Sequence, residues 1–151
     1  INEHYYLFAL KETLTRLTKN LDESSELIIG AQRGYAYGGI IQRALDSKRF
    51  KEIQIVDEID QNIQKLLLGR IDLFIGDLLP TRHYLKVKNV HQKVGIIKEY
   101  ESSENYSVSV WPTYMAFSKL RVSPQYVEKF NHALMEMKRD GSYARIIESY
   151  R

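Results

Sequence analysis

The chain has 151 residues, of which 44% are hydrophobic and 27% charged, and its formal net charge is +3. These values are ordinary for one soluble globular domain, and no apolar run approaches the ~20 residues that a transmembrane helix needs. The absence of cysteine excludes disulfides, thiolate catalysis and cysteine zinc sites. The densest basic cluster, Lys48, Arg49 and Lys51, is interpreted as a solvated helix end, so we expect no nucleic-acid partner.

The first half of the chain alternates between strand and helix patterns. In order, the patterns predict a strand at 5–10, a connector at 11–25, a strand at 27–32, a glycine-rich turn at 33–39, a helix at 39–48, a strand at 53–56, a helix capped by Asp60 and ending at Leu68, a strand at 71–76 and a helix at 78–85. Because three strand–helix pairs follow one another, right-handed crossovers predict a parallel core sheet and an α/β fold.

Asp77 is the most informative single residue. It follows directly on the apolar run that begins at Ile71 and ends at Ile75. In open α/β sheets, ligands bind beyond the carboxyl ends of the strands, where a carboxylate can pair with a cationic group. Asp77 can also serve as the cap of the next helix. Position alone leaves both interpretations open.

The second half of the chain is less regular. Its patterns predict a weak extended segment at 94–97, a strand at 106–111 that Pro112 interrupts and 114–118 resumes, a helix that starts at Ser123-Pro124 and ends at Asp140-Gly141, and a short last helix carrying Tyr143, Ile146, Ile147 and Tyr150. The four histidines have no metal-ligand spacing, and no nucleophile, base and orienting group can be named together. We therefore expect no cofactor, no metal and no catalysis.

Three segments together resemble one family. They are the glycine turn at 29–35, the helix–strand–Asp block at 62–77, and the closing segment at 130–143 with Ile146 and Tyr150. In order and spacing they are similar to the type II periplasmic solute-binding proteins of the polar amino-acid transporter group, known as family 3. The resemblance covers roughly residues 5–150.

The resemblance implies a domain organisation. Members of this family have two lobes joined by two hinge strands, with the solute between the lobes. Matched to that plan, residues 5–10 are the outgoing hinge strand, 11–105 the second lobe, 106–118 the returning strand, and 119–151 the closing helices of lobe one. The second lobe is then a three-layer unit with a mainly parallel central sheet. The chain is expected to be a fragment that lacks the N-terminal part of lobe one.

The resemblance also implies a set of site residues. Asp77 would accept hydrogen bonds from the ammonium of the solute, and the turn residues Gln32, Tyr35, Ala36 and Tyr37 would face its carboxylate through N–H groups and side chains. Tyr35 departs from the family, which usually has Thr or Ser at that position, so a standard α-amino-acid ligand is in question. For both Tyr35 and Tyr37, packing of the ring on the helix beside Ile40 and Ile41 remains an equal alternative.

The implied function is extracytoplasmic capture of a small polar solute, in the first place an amino acid, for the membrane permease of an ABC transporter. Closure of two lobes at the hinge strands would trap the solute. Two alternatives stay open: a ligand-sensing module of a membrane receptor such as a histidine kinase, and an enzyme derivative of the same fold. The implied location is periplasmic or extracytoplasmic, although the chain carries no signal-peptide pattern.

Overall fold

The computed structural model describes residues 2–13, 17, 20–99 and 104–149. Its strands are β1 (Asn2–Leu10), β2 (Ile28–Gln32), β3 (Glu52–Val56), β4 (Leu73–Asp77), β5 (Val94–Ile96) and β6 (Ser107–Pro112). Its α-helices are α1 (Gly39–Asp46), α2 (Ile59–Leu67), α3 (Leu78–Val87), α4 (Pro124–Arg139) and α5 (Ser142–Glu148). The predicted connector at 11–25 falls partly outside the described residues, as does Tyr150; its described part holds two short 3-10 helices, Lys11–Thr13 and Asp22–Glu26.

Residues 2–112 form one compact unit around a six-stranded sheet. The strand order is β3-β2-β4-β1-β5, and β6 also pairs with β1. Strand β2 is parallel to β3 and β4, whereas β1 is antiparallel to β4, β5 and β6. Five strands therefore run in one direction and β1 alone runs in the other, so the predicted α/β fold with a mainly parallel sheet is confirmed.

Two apolar clusters cover the two faces of this sheet. One gathers Tyr37 and Ile41 from the α1 side against Ile29 and Leu73. The other gathers α2 and α3 residues against Phe8 and Phe74, whose rings stack with centroids 5.3 Å apart. Because neighbouring residues of a strand point to opposite faces, Leu73 and Phe74 supply one side chain to each cluster. The result is the predicted three-layer arrangement of helix, sheet and helix.

Two local predictions are wrong. The N-cap of α2 is Glu58 rather than Asp60: Glu58 and Gln61 form a reciprocal capping box, and Asp60 lies in the first turn. The strand does not resume at 114–118 after Pro112, where no strand is assigned. Proline has no N–H to continue a ladder, which explains the stop at this position.

Residues 113–149 belong to a second compact unit that holds α4 and α5. Ser123 caps α4 as predicted, with its Oγ accepting a bond from the Tyr126 N–H at 3.3 Å. The ring of Phe117 packs edge-on against Phe130, with centroids 5.1 Å apart. No residue of either helix is buried among the described residues. Across all the residues that the structure describes, none of the helices has the length and apolar composition of a membrane span.

Thr81 offers a test of core packing beneath β4. Its side chain is buried on α3, and its hydroxyl has no hydrogen-bond partner among the described residues. A buried hydroxyl without a partner costs about 1–3 kcal/mol. We expect Thr81→Val to raise the free energy of unfolding by about 1 kcal/mol in denaturant titration. Thr81→Ser is the control, since it keeps the hydroxyl and loses the methyl group; equal stability in Val and wild type would mean that the hydroxyl is satisfied.

Candidate functional site

The carboxyl ends of two neighbouring parallel strands meet at one edge of the sheet. Strand β2 ends at Gln32 and strand β4 ends at Asp77, and the antiparallel strand β1 places Tyr5 directly opposite Asp77. Residues 2–4 of β1 continue past the end of β4, paired only with β6. The glycine turn after β2 and the carboxylate after β4 therefore lie at the same edge, as the sequence predicts.

Asp77 is the half-buried carboxylate of this edge. It is the N-cap of α3, and its Oδ1 accepts a long 3.4 Å bond from the Leu79 N–H. Burial raises the pKa of Asp77, the Leu79 N–H opposes that shift, and the nearby carboxylate of Glu3 adds to it. His4 and the Leu78 N–H also favour the ionised form, but partial burial outweighs these effects, so Asp77 is a cap whose ionised form is disfavoured. A cationic group of a ligand would favour the ionised form.

Tyr37 belongs to the core rather than to a solute-facing surface. Its side chain is 1% exposed, which agrees with the alternative that the sequence left open, packing of the ring on the helix beside Ile41. The reason is packing: the ring lies in the cluster that includes Ile41, and its hydroxyl accepts a 2.8 Å bond from the Gln32 N–H. Burial raises the pKa of Tyr37 to about 12, so the hydroxyl stays neutral at physiological pH.

The turn has fewer N–H groups available for an anion than the sequence suggests. The Gln32 N–H is used by Tyr37, and the Tyr37 N–H donates to Gln42 Oε1 at 3.0 Å. The Tyr35 N–H makes a 3.5 Å turn bond to the Gln32 carbonyl. Ala36 is exposed, and its N–H has no hydrogen bond within the part of the chain that is described. Ala36 and the first turn of α1 are therefore the candidate donors for an anion.

Three tyrosines form an aromatic stack that connects the turn to Asp77. Tyr35 is 49% exposed; its ring stacks on Tyr37 with centroids 6.1 Å apart and meets Tyr5 edge-on at 6.5 Å. One side of the Tyr35 ring therefore lies against the buried rings of Tyr5 and Tyr37. The Tyr5 hydroxyl donates to Glu3 Oε2 at 3.0 Å, and burial raises the pKa of that hydroxyl.

Two residues of the site are not predicted from the sequence. Tyr5 lies on the one antiparallel strand, and its position opposite Asp77 depends on a long-range register that no local pattern specifies. Trp111 lies on β6, where its ring packs against Gly38 and its Nε1 donates to the Tyr37 carbonyl at 3.4 Å. The available signal for Trp111 is the pair of glycines at 38–39, which indicates a close approach of the turn to another element.

A surface depression of about 370 Å³ lies beside the turn. It is bordered by Gln32, Tyr35 and Tyr37 together with residues of α1 and β3, whereas Asp77 and Ala36 lie outside it. Among the described residues there is no group of three His, Cys, Asp or Glu side chains that could hold a metal ion. From their exposure and hydrogen bonds, the candidate solute contacts are Asp77, the Tyr35 ring and the Ala36 amide. Gln32 and Tyr37 support the turn that carries Tyr35 and Ala36.

The different roles of Tyr35 and Tyr37 can be tested by removing one hydroxyl at a time. Tyr37→Phe leaves the Gln32 N–H without its acceptor, and we expect a loss of about 1–3 kcal/mol in the free energy of unfolding. Tyr35→Phe changes a half-exposed ring and should shift stability by less than about 0.5 kcal/mol. Chemical denaturation of both variants measures the difference. Equal losses would show that the Tyr37 hydroxyl contributes nothing specific.

Comparison with known proteins relates this geometry to one group. No model of a protein family matches the chain. It is 31% identical over 100 residues to the L-cystine-binding protein TcyA of Bacillus subtilis, across 66% of this chain and 33% of that protein. The amino acid ABC transporter substrate-binding protein AbpA of Streptococcus pneumoniae, bound to L-arginine, has the same fold, with a TM-score of 0.60, 17% identity, and coverage of 99% of this chain and 57% of that one.

The ancestral amino acid-binding protein AncCDT-1, a precursor of cyclohexadienyl dehydratase, is similar too, with a TM-score of 0.63, 16% identity, and coverage of 99% of this chain and 57% of its own. The chain thus spans one third of its curated relative and less than two thirds of these solved structures. The two solved structures show the fold, and the match to TcyA agrees with the resemblance that the three motifs carry. In sequence and in fold the chain is thus similar to part of these amino-acid-binding proteins.

Proposed function

We propose that this chain supplies the second lobe of an extracytoplasmic binding protein that captures an amino-acid-like solute for the permease of an ABC transporter. The observation that carries the proposal is Asp77, a half-buried carboxylate at the ligand edge of the sheet whose ionised form is disfavoured. TcyA is an L-cystine-binding protein and AbpA is bound to L-arginine, which supports an amino-acid-like solute here. The role of AbpA as an ABC transporter protein also supports such a transporter as partner.

The chemistry of binding follows from the two ends of the site. Asp77 accepts hydrogen bonds from the ammonium of the solute, which relieves the cost of its partial burial. The Ala36 amide and the N–H groups in the first turn of α1 attract the carboxylate, because a helix N-terminus carries partial positive charge. The exposed side of the Tyr35 ring covers the solute between them. The turn thus binds the carboxylate of a zwitterion and Asp77 binds its ammonium.

The remaining solute contacts come from the rest of the protein. The family plan assigns residues 5–10 and 106–118 to the hinge strands, 11–105 to the second lobe and 119–151 to the other lobe. Closure at the hinges brings the lobes together around the solute, which is the domain motion typical of periplasmic binding proteins. Because this chain spans 57% of the solved relatives, we expect weak or no binding by the isolated chain.

The test is calorimetry on the full-length protein that contains this chain, with the standard amino acids and L-cystine as titrants. We expect one or a few of them to bind with a dissociation constant on the order of micromolar or tighter. Recovery of the unchanged solute afterwards separates a binding protein from an enzyme derivative. Absence of any heat signal or thermal shift across the panel would contradict the proposed function. Micromolar binding by the isolated chain would contradict the claim that solute contacts are missing from it.

A further inference from the structure

We propose that Trp111 is a positioning residue that fastens the Tyr35–Gly39 turn to β6 and so fixes the geometry in which the turn meets a solute. Trp111 is the single tryptophan of the chain and lies one residue before the end of β6. It acts through the backbone of the turn rather than by contact with Asp77 or with a solute. Its role in affinity rests on the proposed function, whereas its role in holding the turn does not.

The turn lies against β6 at two glycines, where an added side chain would be crowded. A Cβ at Gly38 would lie 2.5 Å from Cζ2 of the Trp111 ring, and a Cβ at Gly39 would lie 3.3 Å from the Val108 carbonyl oxygen. Both glycines have positive φ, 67° at Gly38 and 59° at Gly39. The absence of side chains at these two adjacent glycines therefore lets the indole and the backbone of β6 pack closely against the turn.

A hydrogen bond fixes the turn at the same place. Trp111 Nε1 donates to the Tyr37 carbonyl at 3.4 Å, while the other polar groups of Tyr37 are bonded to Gln32 and Gln42. Tyr37 is thereby held by β2, by α1 and by β6. Of these three hydrogen bonds, the one from Trp111 comes from outside the β2–α1 segment, and the Tyr5 ring of β1 adds an edge-on contact with centroids 5.6 Å apart. Loss of the indole would free the carbonyl side of the turn and leave the ring of Tyr37 anchored.

The contact between the turn and β6 also connects the turn to β1, which lies beside Asp77. Strand β6 pairs with β1 from Asn2 to Tyr6, and β1 carries Tyr5 opposite Asp77. The contact with β6 therefore adds to the direct contacts of the turn with Tyr5 of β1, and through both the turn is held at a fixed distance from Asp77. Nearly half of the Trp111 side chain is exposed, so burial alone does not account for an indole at this position.

The experiment compares Trp111→Ala and Trp111→Phe with wild type in the full-length protein. Hydrogen exchange of the backbone amides measures whether the turn is held, independently of any solute. In Trp111→Ala we expect the amides of Tyr37 and Gln42, which donate to Gln42 Oε1 and to the Gly38 carbonyl, to exchange about tenfold faster, with the amides of β2 and β4 unchanged. Trp111→Phe keeps a ring against Gly38 and should restore part of the protection. Unchanged exchange of the Tyr37 and Gln42 amides in Trp111→Ala would overturn the proposal.

Affinity provides the second readout. For whichever solute binds wild type in the calorimetric panel, we expect Trp111→Ala to weaken binding about tenfold and Trp111→Phe to recover most of that loss. Looser turn amides with unchanged affinity would overturn the role of Trp111 in the site. If no solute binds wild type but the turn amides still loosen, the proposed function fails while the contact between Trp111 and the turn is upheld. The two failures are therefore distinguishable.

Discussion

Replacing Asp77 with Asn is expected to weaken binding of the solute about 10- to 150-fold, which corresponds to the ~1.5–3 kcal/mol of a hydrogen bond to a charged group. The carboxylate is the acceptor for an ammonium in the proposed site, and Asn at this position offers one neutral carbonyl in its place. The substitution has nearly the same shape. The expected loss therefore reports the charge rather than a cavity, and calorimetry on the full-length protein measures it.

The choice of Asn separates the two roles of Asp77. Asn is as good an N-cap as Asp, so Asp77→Asn keeps the start of α3, whereas Asp77→Ala removes the cap at a further cost of about 1 kcal/mol in stability. Asp57→Asn is the matched control: Asp57 follows β3, which pairs with β2 on the side away from β4, but it is exposed and paired with Arg33 Nε at 2.8 Å. We expect its affinity to match that of wild type. Equal affinity of Asp77→Asn and wild type would exclude Asp77 from the site.

The raised pKa of Asp77 gives this prediction a dependence on pH. Because burial favours the protonated form, the folded, unliganded protein takes up a proton at higher pH than the unfolded chain does. The ionised carboxylate therefore lowers stability above the folded-state pKa, and that cost is relieved as pH falls through it. At neutral pH we expect Asp77→Asn to melt at a higher temperature than wild type, with the difference shrinking on acidification. A constant difference across the acid range would contradict this.

Binding should change with pH in the opposite sense. An ammonium needs the ionised carboxylate, so acidification through the raised pKa makes protonation compete with the solute and weakens affinity in wild type. In Asp77→Asn this part of the pH dependence should disappear, and the residual affinity should stay flat over the same range. Calorimetry at a series of pH values tests both variants together.

The sequence predicts the parts of the fold that depend on local pattern. Periodicity and glycine positions locate β2, β4 and α1, and Ser123-Pro124 marks the start of α4 correctly. These elements are set by residues close together in the chain, so a single sequence predicts them. The meeting of Gln32 and Asp77 at one edge of the sheet follows from the general rule that parallel strands align their carboxyl ends.

The features that the sequence does not predict depend on contacts between residues far apart in the chain. The burial of Tyr37 follows from a hydrogen bond to Gln32 and from packing in the α1-side cluster, and neither leaves a mark on the local sequence. The position of Tyr5 opposite Asp77 is a matter of register between strands far apart in the chain, and Trp111 reaches the turn from the far end of the unit. A glycine-rich turn predicts that something approaches its backbone, but not what that is.

Gly38→Ala is expected to have the largest effect on stability, a loss of about 2 to 5 kcal/mol in the free energy of unfolding. With φ 67° and ψ −175°, Gly38 lies in a region of backbone conformation that is essentially restricted to glycine, and leaving that region would reshape the entry to α1. The added methyl group would also overlap the Trp111 ring. Chemical denaturation measures the loss, and the displaced indole should give a red-shifted fluorescence maximum.

Gly34→Ala is the matched control, because it separates backbone strain from the contact with the indole. Gly34 also has a positive φ, 77°, but nothing lies within 4 Å of the position its Cβ would take. Its substitution should cost only the ~1–2 kcal/mol of a left-handed residue and leave the fluorescence of Trp111 unchanged. If the two variants lose equal stability, backbone conformation alone explains the glycines. A larger loss at Gly38 also includes the strain of its more restricted backbone region, so the spectral shift, absent in Gly34→Ala, is the result that shows overlap of the methyl group with the Trp111 ring.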